Sequence, residues 1–140
     1  MEIPLFCGVN DPDAYLRWVQ KVEDAFDCEE YSEVQKCRLV SRQFRGRVYF
    51  WWKDLMAMMR ENGNSEVRNW ELMKRLMTTH FIPLDVRDKF YLKLQRLKQV
   101  DLSVEDYAKE FKLFVIASDL GESEEQKIER FISGLKSKIR

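Results

Sequence analysis

The side chains that could accept a proton, attack a substrate or ligate a metal are few. The chain has one histidine, His80, in the run MTTHFIP. A lone imidazole beside an apolar stripe more often packs or caps a helix end than serves as a base. The three cysteines, Cys7, Cys28 and Cys37, are widely spaced and form no C-x-x-C pair. Such an odd set is expected to stay reduced, as small buried or half-buried apolar residues in a cytoplasmic or nuclear setting. The carboxylate pairs Glu29-Glu30 and Glu124-Glu125 fall at expected helix starts, where they complement the dipole rather than form an acid–base pair. No glycine-rich phosphate loop, G-x-S-x-G or H-E-x-x-H occurs. The residue set therefore points away from an enzyme, with no cofactor and no metal expected.

Charge offers more. Lys plus Arg equals Asp plus Glu, so the formal net charge is zero, unlike the strong basic excess of most nucleic-acid modules. The charge is nevertheless sorted. Residues 23–33 hold six acids and no base, whereas residues 34–53 hold six bases and no acid. The basic run, Lys36, Arg38, Arg42, Arg45, Arg47 and Lys53, could meet nucleic-acid phosphates. Alternatively, acidic and basic faces of neighbouring copies could meet and set orientation. The plainest reading is a solvated surface in which adjacent helices pair acid with base within one molecule.

The elements that must position these residues read as helices throughout. Five glycines and three prolines in 140 residues argue for long regular elements and short loops. Asp11-Pro12 is a start signal, followed by Tyr15, Trp18, Val19, Val22 and Phe26 on one face. Ser32-x-x-Gln35 opens a second helix with Val34, Cys37, Val40 and Phe44 in line, stopping near Gly46. A third ends at Asn62-Gly63-Asn64. Asn69 caps a fourth bearing Trp70, Met73, Met77 and Phe81, broken by Ile82-Pro83. Asp85 is expected to cap a fifth with Val86, Phe90, Leu94 and Leu97. Ser103-x-x-Asp106 opens a sixth with Val104, Tyr107, Phe111 and Phe114 or Val115 inside. Ser123-x-x-Gln126 opens a seventh, Glu124 to Gly134, with Ile128, Phe131, Ile132 and Leu135. No segment sustains period-two alternation, so the fold class is all-α. The break at residues 82–83 suggests two small helical lobes, 1–82 with four helices and 83–140 with three.

One stretch, GRVYFWWKDL from Gly46 to Leu55, is unusually apolar. It is far short of the ~18–20 residues a membrane span needs, and the acidic start of the chain does not read as a secretory signal. On a helix, Val48, Trp51, Trp52, Leu55, Met58 and Met59 share one broad face and are expected in the core. Tyr49 and Phe50 point elsewhere, either onto a neighbouring helix or out as an association surface.

The run LFCGVNDPDAYLRWVQKVEDAF, followed in order by GRVYFWWKDL, VRNWELMKRLMTTHFIP, FYLKLQRLKQ with SVEDYAKEF, and RFISGLKSKI, resembles the gag domain of gypsy-type long-terminal-repeat retrotransposons. The likeness spans almost the whole chain. Its most specific parts involve Gly46, Trp51, Trp52, Trp70, Phe81, Pro83, Gln99, Val104, Tyr107 and Phe111. It implies two lobes like the N- and C-terminal domains of retroviral capsids, in a protein that oligomerises into shells around RNA and catalyses nothing. Gln99, Val104, Tyr107 and Phe111 lie where the major homology region would fall, although Val100 stands where glycine usually follows the glutamine. That region's acid–base pair has no clear match. The seventh helix falls where related capsids place a dimer helix, which makes Ile128, Phe131 and Ile132 assembly candidates or core residues. No C-x2-C-x4-H-x4-C knuckle is present, and the resemblance implies a truncated C-lobe.

Three functions follow as expectations. The first is a self-associating capsid-type structural protein. The second is a gag-derived host protein that takes a peptide segment in an N-lobe groove lined by Tyr15, Trp18, Tyr49 and Phe50. The third is an RNA-binding module using Lys36, Arg38, Arg42, Arg45 and Arg47. No membrane partner is expected.

Overall fold

The computed structural model describes residues 2–8, 11–99, 102–118 and 122–139, the last four by backbone alone. Val100, singled out above, lies outside the described residues. Among the described residues there are seven helices: α1 (Pro12–Cys28), α2 (Glu33–Ser41), α3 (Arg47–Glu61), α4 (Trp70–Phe81), α5 (Leu84–Arg96), α6 (Val104–Ser118) and α7 (Glu124–Ile139). The only extended pairing among the described residues is a single parallel bridge between Phe6 and Phe44. The all-α fold class holds. The chain divides into two compact units, residues 1–81 and 82–140.

In the first unit the start signals act as the local chemistry requires. Asp11 Oδ1 accepts the Asp13 N–H at 3.0 Å, and Pro12 needs no donor partner at the first helical position. Ser32 and Gln35 form a reciprocal capping box, with distances of 2.8 and 3.2 Å. Asn69 Oδ1 caps α4 by accepting the Leu72 N–H at 2.8 Å. One boundary differs from the expected one. α2 stops at Ser41, well before Gly46. Phe44 leaves the helix because it gains more by entering the core, where it is 1% exposed, and by bridging the N-terminal segment. The Phe6 N–H donates to Gln43 O at 3.0 Å and the Arg45 N–H to Phe6 O at 2.9 Å. Gly46 then turns the chain at φ 60°, a region where a side chain would be strained, and α3 begins.

The core of this unit is aromatic. Phe6 stacks on Trp18 with centroids 4.5 Å apart and meets Phe81 edge-on at 5.1 Å; Tyr15 lies on Phe81 at 5.5 Å. Each buried polar handle in the cluster has a partner, as a dry interior demands. The Tyr15 hydroxyl is 2.7 Å from Thr78 Oγ1, and Trp18 Nε1 donates to Pro4 O at 3.0 Å. Trp70 Nε1 and Lys74 Nζ both donate to Glu23 Oε2, at 3.0 and 2.8 Å.

In the second unit, α5 packs on α6. Pro83, not Asp85, is the N-cap of α5, and Asp85 sits in its first turn. The proline carbonyl already accepts the Arg87 N–H at 2.9 Å, which starts the helix two residues earlier than an Asp85 cap would. Ser103 caps α6 through the Asp106 N–H, and Ser123 with Gln126 forms a second capping box on α7. Phe90, Leu94, Tyr107, Phe111, Ile116 and Ala117 are buried. Val104 is a correction. It is 55% exposed, because the first residue of α6 precedes the turn that faces inward. α7 also continues through Gly134 to Ile139 instead of ending there.

Candidate assembly and partner surfaces

Several residues chosen for recognition turn out to build the interior. Tyr15 is 0% exposed and Trp18 6%, so neither can line an open groove for a peptide. They sit on the inward stripe of α1, where the same periodicity that made them conspicuous buries them. On α3 the expected core face is only partly covered. Val48 is fully buried, Trp51, Trp52, Leu55 and Met59 are half-buried, and Met58 is 56% exposed. Trp52 meets Phe44 edge-on at 5.9 Å, while Trp51 lies between Phe81 and the imidazole of His80. His80 stacks on Trp51 at 4.2 Å, a packing role, and desolvation there pushes its pKa below the ordinary value.

Tyr49 and Phe50 stand on the outer side of α3, 45% and 64% exposed. Their centroids are 5.2 Å apart with the rings at 80°, and Lys53 Nζ lies 5.7 Å from the Tyr49 centroid. The helix start beside them has no side-chain cap and no acid in its first turn.

Among the bases, Lys36 is spoken for. Its Nζ is 2.9 Å from Glu33 Oε2 and lies over the Phe26 ring. Glu33 is held below its ordinary carboxylate pKa chiefly by the Lys36 hydrogen bond; burial opposes this, and the Trp70 N–H and the Lys36 charge add to the lowering. Lys74 shows the same balance in reverse. Burial lowers its pKa, but Glu23 and Glu71 more than offset this, leaving it raised. By contrast, Arg38, Arg42, Arg45 and Arg47 are exposed and meet no carboxylate among the described residues. The Arg45 guanidinium is instead fixed by the carbonyls of Arg42 and Phe44, at 2.7 and 2.9 Å. Intramolecular pairing of acid with base thus accounts for Lys36 and Lys74 but not for the arginines.

The cysteines divide. Cys37 is buried, and desolvation, followed by the charges of Glu33 and Glu66, raises its pKa to about 11. Cys7 and Cys28 are exposed, against expectation, because they fall just outside the inward stripes of their segments. Glu29-Glu30 also lies elsewhere than expected. Glu29 is the C-cap of α1 and accepts the Tyr31 hydroxyl at 2.9 Å, whereas Glu124 and Glu125 do occupy the first turn of α7.

A cleft of about 400 Å³ opens between α2, α3 and the loop at residues 64–67. Cys37, Trp52, Met56 and Met59 give it an apolar lining, with Arg38, Arg60 and Glu66 also on its walls. Sequence periodicity could not reveal it, since it depends on how far α2 and α3 splay apart.

In the second unit, Gln99 is 5% exposed and its N–H donates to Gly134 O at 3.4 Å. Tyr107 packs on Phe131 at 5.0 Å and donates its hydroxyl proton to Phe131 O at 2.9 Å. Phe111 meets Phe131 edge-on at 5.1 Å. Phe131 is therefore a packing residue. Ile128 and Ile132, one turn apart on α7, are 56% and 41% exposed. An ion pair that the sequence did not suggest closes the base of this helix. Arg130 Nε and Nη2 donate to the two Glu122 oxygens at 3.2 and 2.8 Å. Its only sequence signal is an acid just before the Ser123 cap and a base two turns later.

No helix among the described residues is long and apolar enough to cross a membrane, and none of their His, Cys, Asp and Glu side chains gather into a potential metal cluster. Residues 1–82 match the family described as retrotransposon-derived protein PEG10, N-terminal capsid-like domain. Residues 92–140 match PEG10/RTL1, C-terminal capsid-like domain. Comparison with curated proteins and with solved structures returns no match. With an N-terminal and a C-terminal capsid-like domain in chain order, the protein belongs to the retrotransposon-derived, PEG10-type capsid family.

Proposed function

We propose that this chain is a gag-type structural protein, not a catalyst, that self-associates through the outer face of α7. The observation that carries the reading is the pair Ile128 and Ile132, left in solvent on a helix whose adjoining side is anchored by Phe131. Burying an isoleucine side chain contributes roughly 1.5–3 kcal/mol. Because Ile128 and Ile132 are 56% and 41% exposed, about half of that remains to be gained, so two residues from each of two copies contribute roughly 3–6 kcal/mol against an association cost of about 4–15 kcal/mol. The balance is a weak, concentration-dependent contact, as suits an assembly built from many repeated interfaces.

Light scattering coupled to size exclusion over a concentration series tests this. The mass should rise with concentration, and Ile128→Asp with Ile132→Asp should return it to that of a monomer. A strict monomer at high concentration and at both low and high salt would remove the reading.

A partner-binding host protein is the second reading, supported by the cleft between α2 and α3 rather than by the Tyr15–Trp18 face. Its apolar lining and the arginines on its walls suit an apolar peptide segment carrying acid.

A further inference from the structure

Methionine serves two ends in the first unit. Met73 and Met77 on α4 are 0% exposed and fill the core, as flexible thioethers are suited to do. Met56 and Met59 on α3 are only half-buried, and they line the cleft between α2 and α3 together with Cys37. About 400 Å³ stays open beside them. Side chains that elsewhere fill a gap here border one.

The local structure brings this about. Residues 52, 56 and 59 recur at steps of four and three, so Trp52, Met56 and Met59 share one side of α3. Cys37 reaches the same cleft from α2. It is 7% exposed and in no disulfide, and its thiol has no hydrogen-bond partner among the described residues. Two thioethers and an unengaged thiol thus border a single cleft, with the Trp52 ring for a neighbour.

Donor chemistry narrows the occupant. No histidine lines the cleft, since the one imidazole stacks on Trp51, and Glu66 is the sole carboxylate in its lining. Structural zinc takes four ligands of thiolate, imidazole or carboxylate, and calcium or magnesium takes a cage of oxygens. Neither set is present. Thiolate and thioether donors together select a soft monovalent ion. We infer that Cys37, Met56 and Met59 form a binding site for Cu(I). Binding exchanges the Cys37 S–H bond for a Cu–S bond and releases the proton to solvent, and the copper stays monovalent throughout. Of the charges that act on the thiol, Glu33 and Glu66 outrank Lys36, so the potential there favours a cation. Arg38 and Arg60, also on the walls, act the other way, which suits an ion held by bonds to sulfur more than by charge. The ion enters through the open cleft, so loading needs no unfolding, unlike labelling by a bulky thiol reagent. The site is separate from the α7 contact and asks nothing of self-association.

Anaerobic titration of the full chain with Cu(I) held in a coloured bicinchoninate complex tests the site. Cys7→Ser with Cys28→Ser supplies the background, because those exposed thiols would take up Cu(I) by themselves. This protein should withdraw about one equivalent from the complex; Ag(I) should compete for the site and Zn(II) should not. Met56→Leu with Met59→Leu conserves volume while removing both thioethers, so circular dichroism should be unchanged. Affinity for Cu(I) should nevertheless fall by about 10- to 100-fold or more, since even loss of an outer-shell partner costs metal sites that much. Cys37→Ala should bind more weakly still. Failure to withdraw Cu(I) would overturn the proposal. So would an unchanged affinity in the paired leucine variant, which would show a thiol acting alone, or displacement of Cu(I) by an equal concentration of Zn(II).

Discussion

All four tryptophans of the chain lie in the first unit, and the second hangs its last helix on a tyrosine. In residues 1–81 the core is a web: Phe6, Tyr15, Trp18 and Phe81 touch one another, and hydrogen bonds tie their polar atoms to Pro4, Lys74 and Thr78. In residues 82–140, α7 is held by Tyr107 and Phe111 against Phe131 and by the Gln99 N–H on Gly134 O, while the Glu122–Arg130 clasp closes its own start. A web distributes the consequence of losing one ring, though each ring is large. A few contacts gathered around Tyr107 concentrate it in one close approach. The first unit should therefore fail by loss of volume and the second by loss of fit.

The largest effect should come from removing a ring of the web. Trp18→Ala would leave a cavity against Phe6, Tyr15 and Phe44 and strand the Pro4 carbonyl, for a cost of about 3–5 kcal/mol. Denaturant unfolding should show the first unit lost while the second keeps its transition. A single transition lost as a whole would mean that the units do not unfold separately.

Next is the anchor. A Cβ at Gly134 would overlap the Tyr107 hydroxyl and lie 2.7 Å from its ring carbon Cζ. Alanine gains about 1 kcal/mol of helix propensity over glycine. Overpacking against a ring that is 1% exposed and hydrogen-bonded costs about 1–3 kcal/mol, so the overlap should win. Gly134→Ala should thus destabilise the second unit by up to about 2 kcal/mol, read from its denaturant unfolding. A stabilised variant would show that Tyr107 can retreat and is no anchor.

The smallest perturbation sharpens the contrast without any substitution. The Cys37 thiol is buried, with its pKa near 11, whereas Cys7 and Cys28 are exposed. A thiol reagent at neutral pH should label two cysteines rapidly and the third only as the first unit opens. Three equally fast thiols would mean that the α2 side of the web is open.

Much of this was legible from residue order alone. The helix starts were readable because a cap is a local contract: Ser32 with Gln35, Asn69 with Leu72 and Ser123 with Gln126 each lie within one turn. The all-α class followed from periodicity, and the resemblance to gag domains reached the capsid family from ordered motifs. Where reading failed, the deciding partner was distant in the chain. Phe44 left its helix for Phe6, and Tyr15 met Thr78 across 63 residues. Tyr15 and Trp18 also illustrate an ambiguity of pattern, since an aromatic stripe suits a groove and a core equally until its covering elements are placed.

What the sequence determined by itself was thus the helices, their caps, the two-lobe order and the uneven distribution of charge, all set by interactions within about one helical turn. Tertiary structure alone decided which rings face water, that Gly134 must admit Tyr107, that Glu122 and Arg130 pair, and that Cys37 is buried while Cys7 and Cys28 are not. Those outcomes depend on where one helix lies against another, and side-chain exposure is a property of that packing rather than of any single segment.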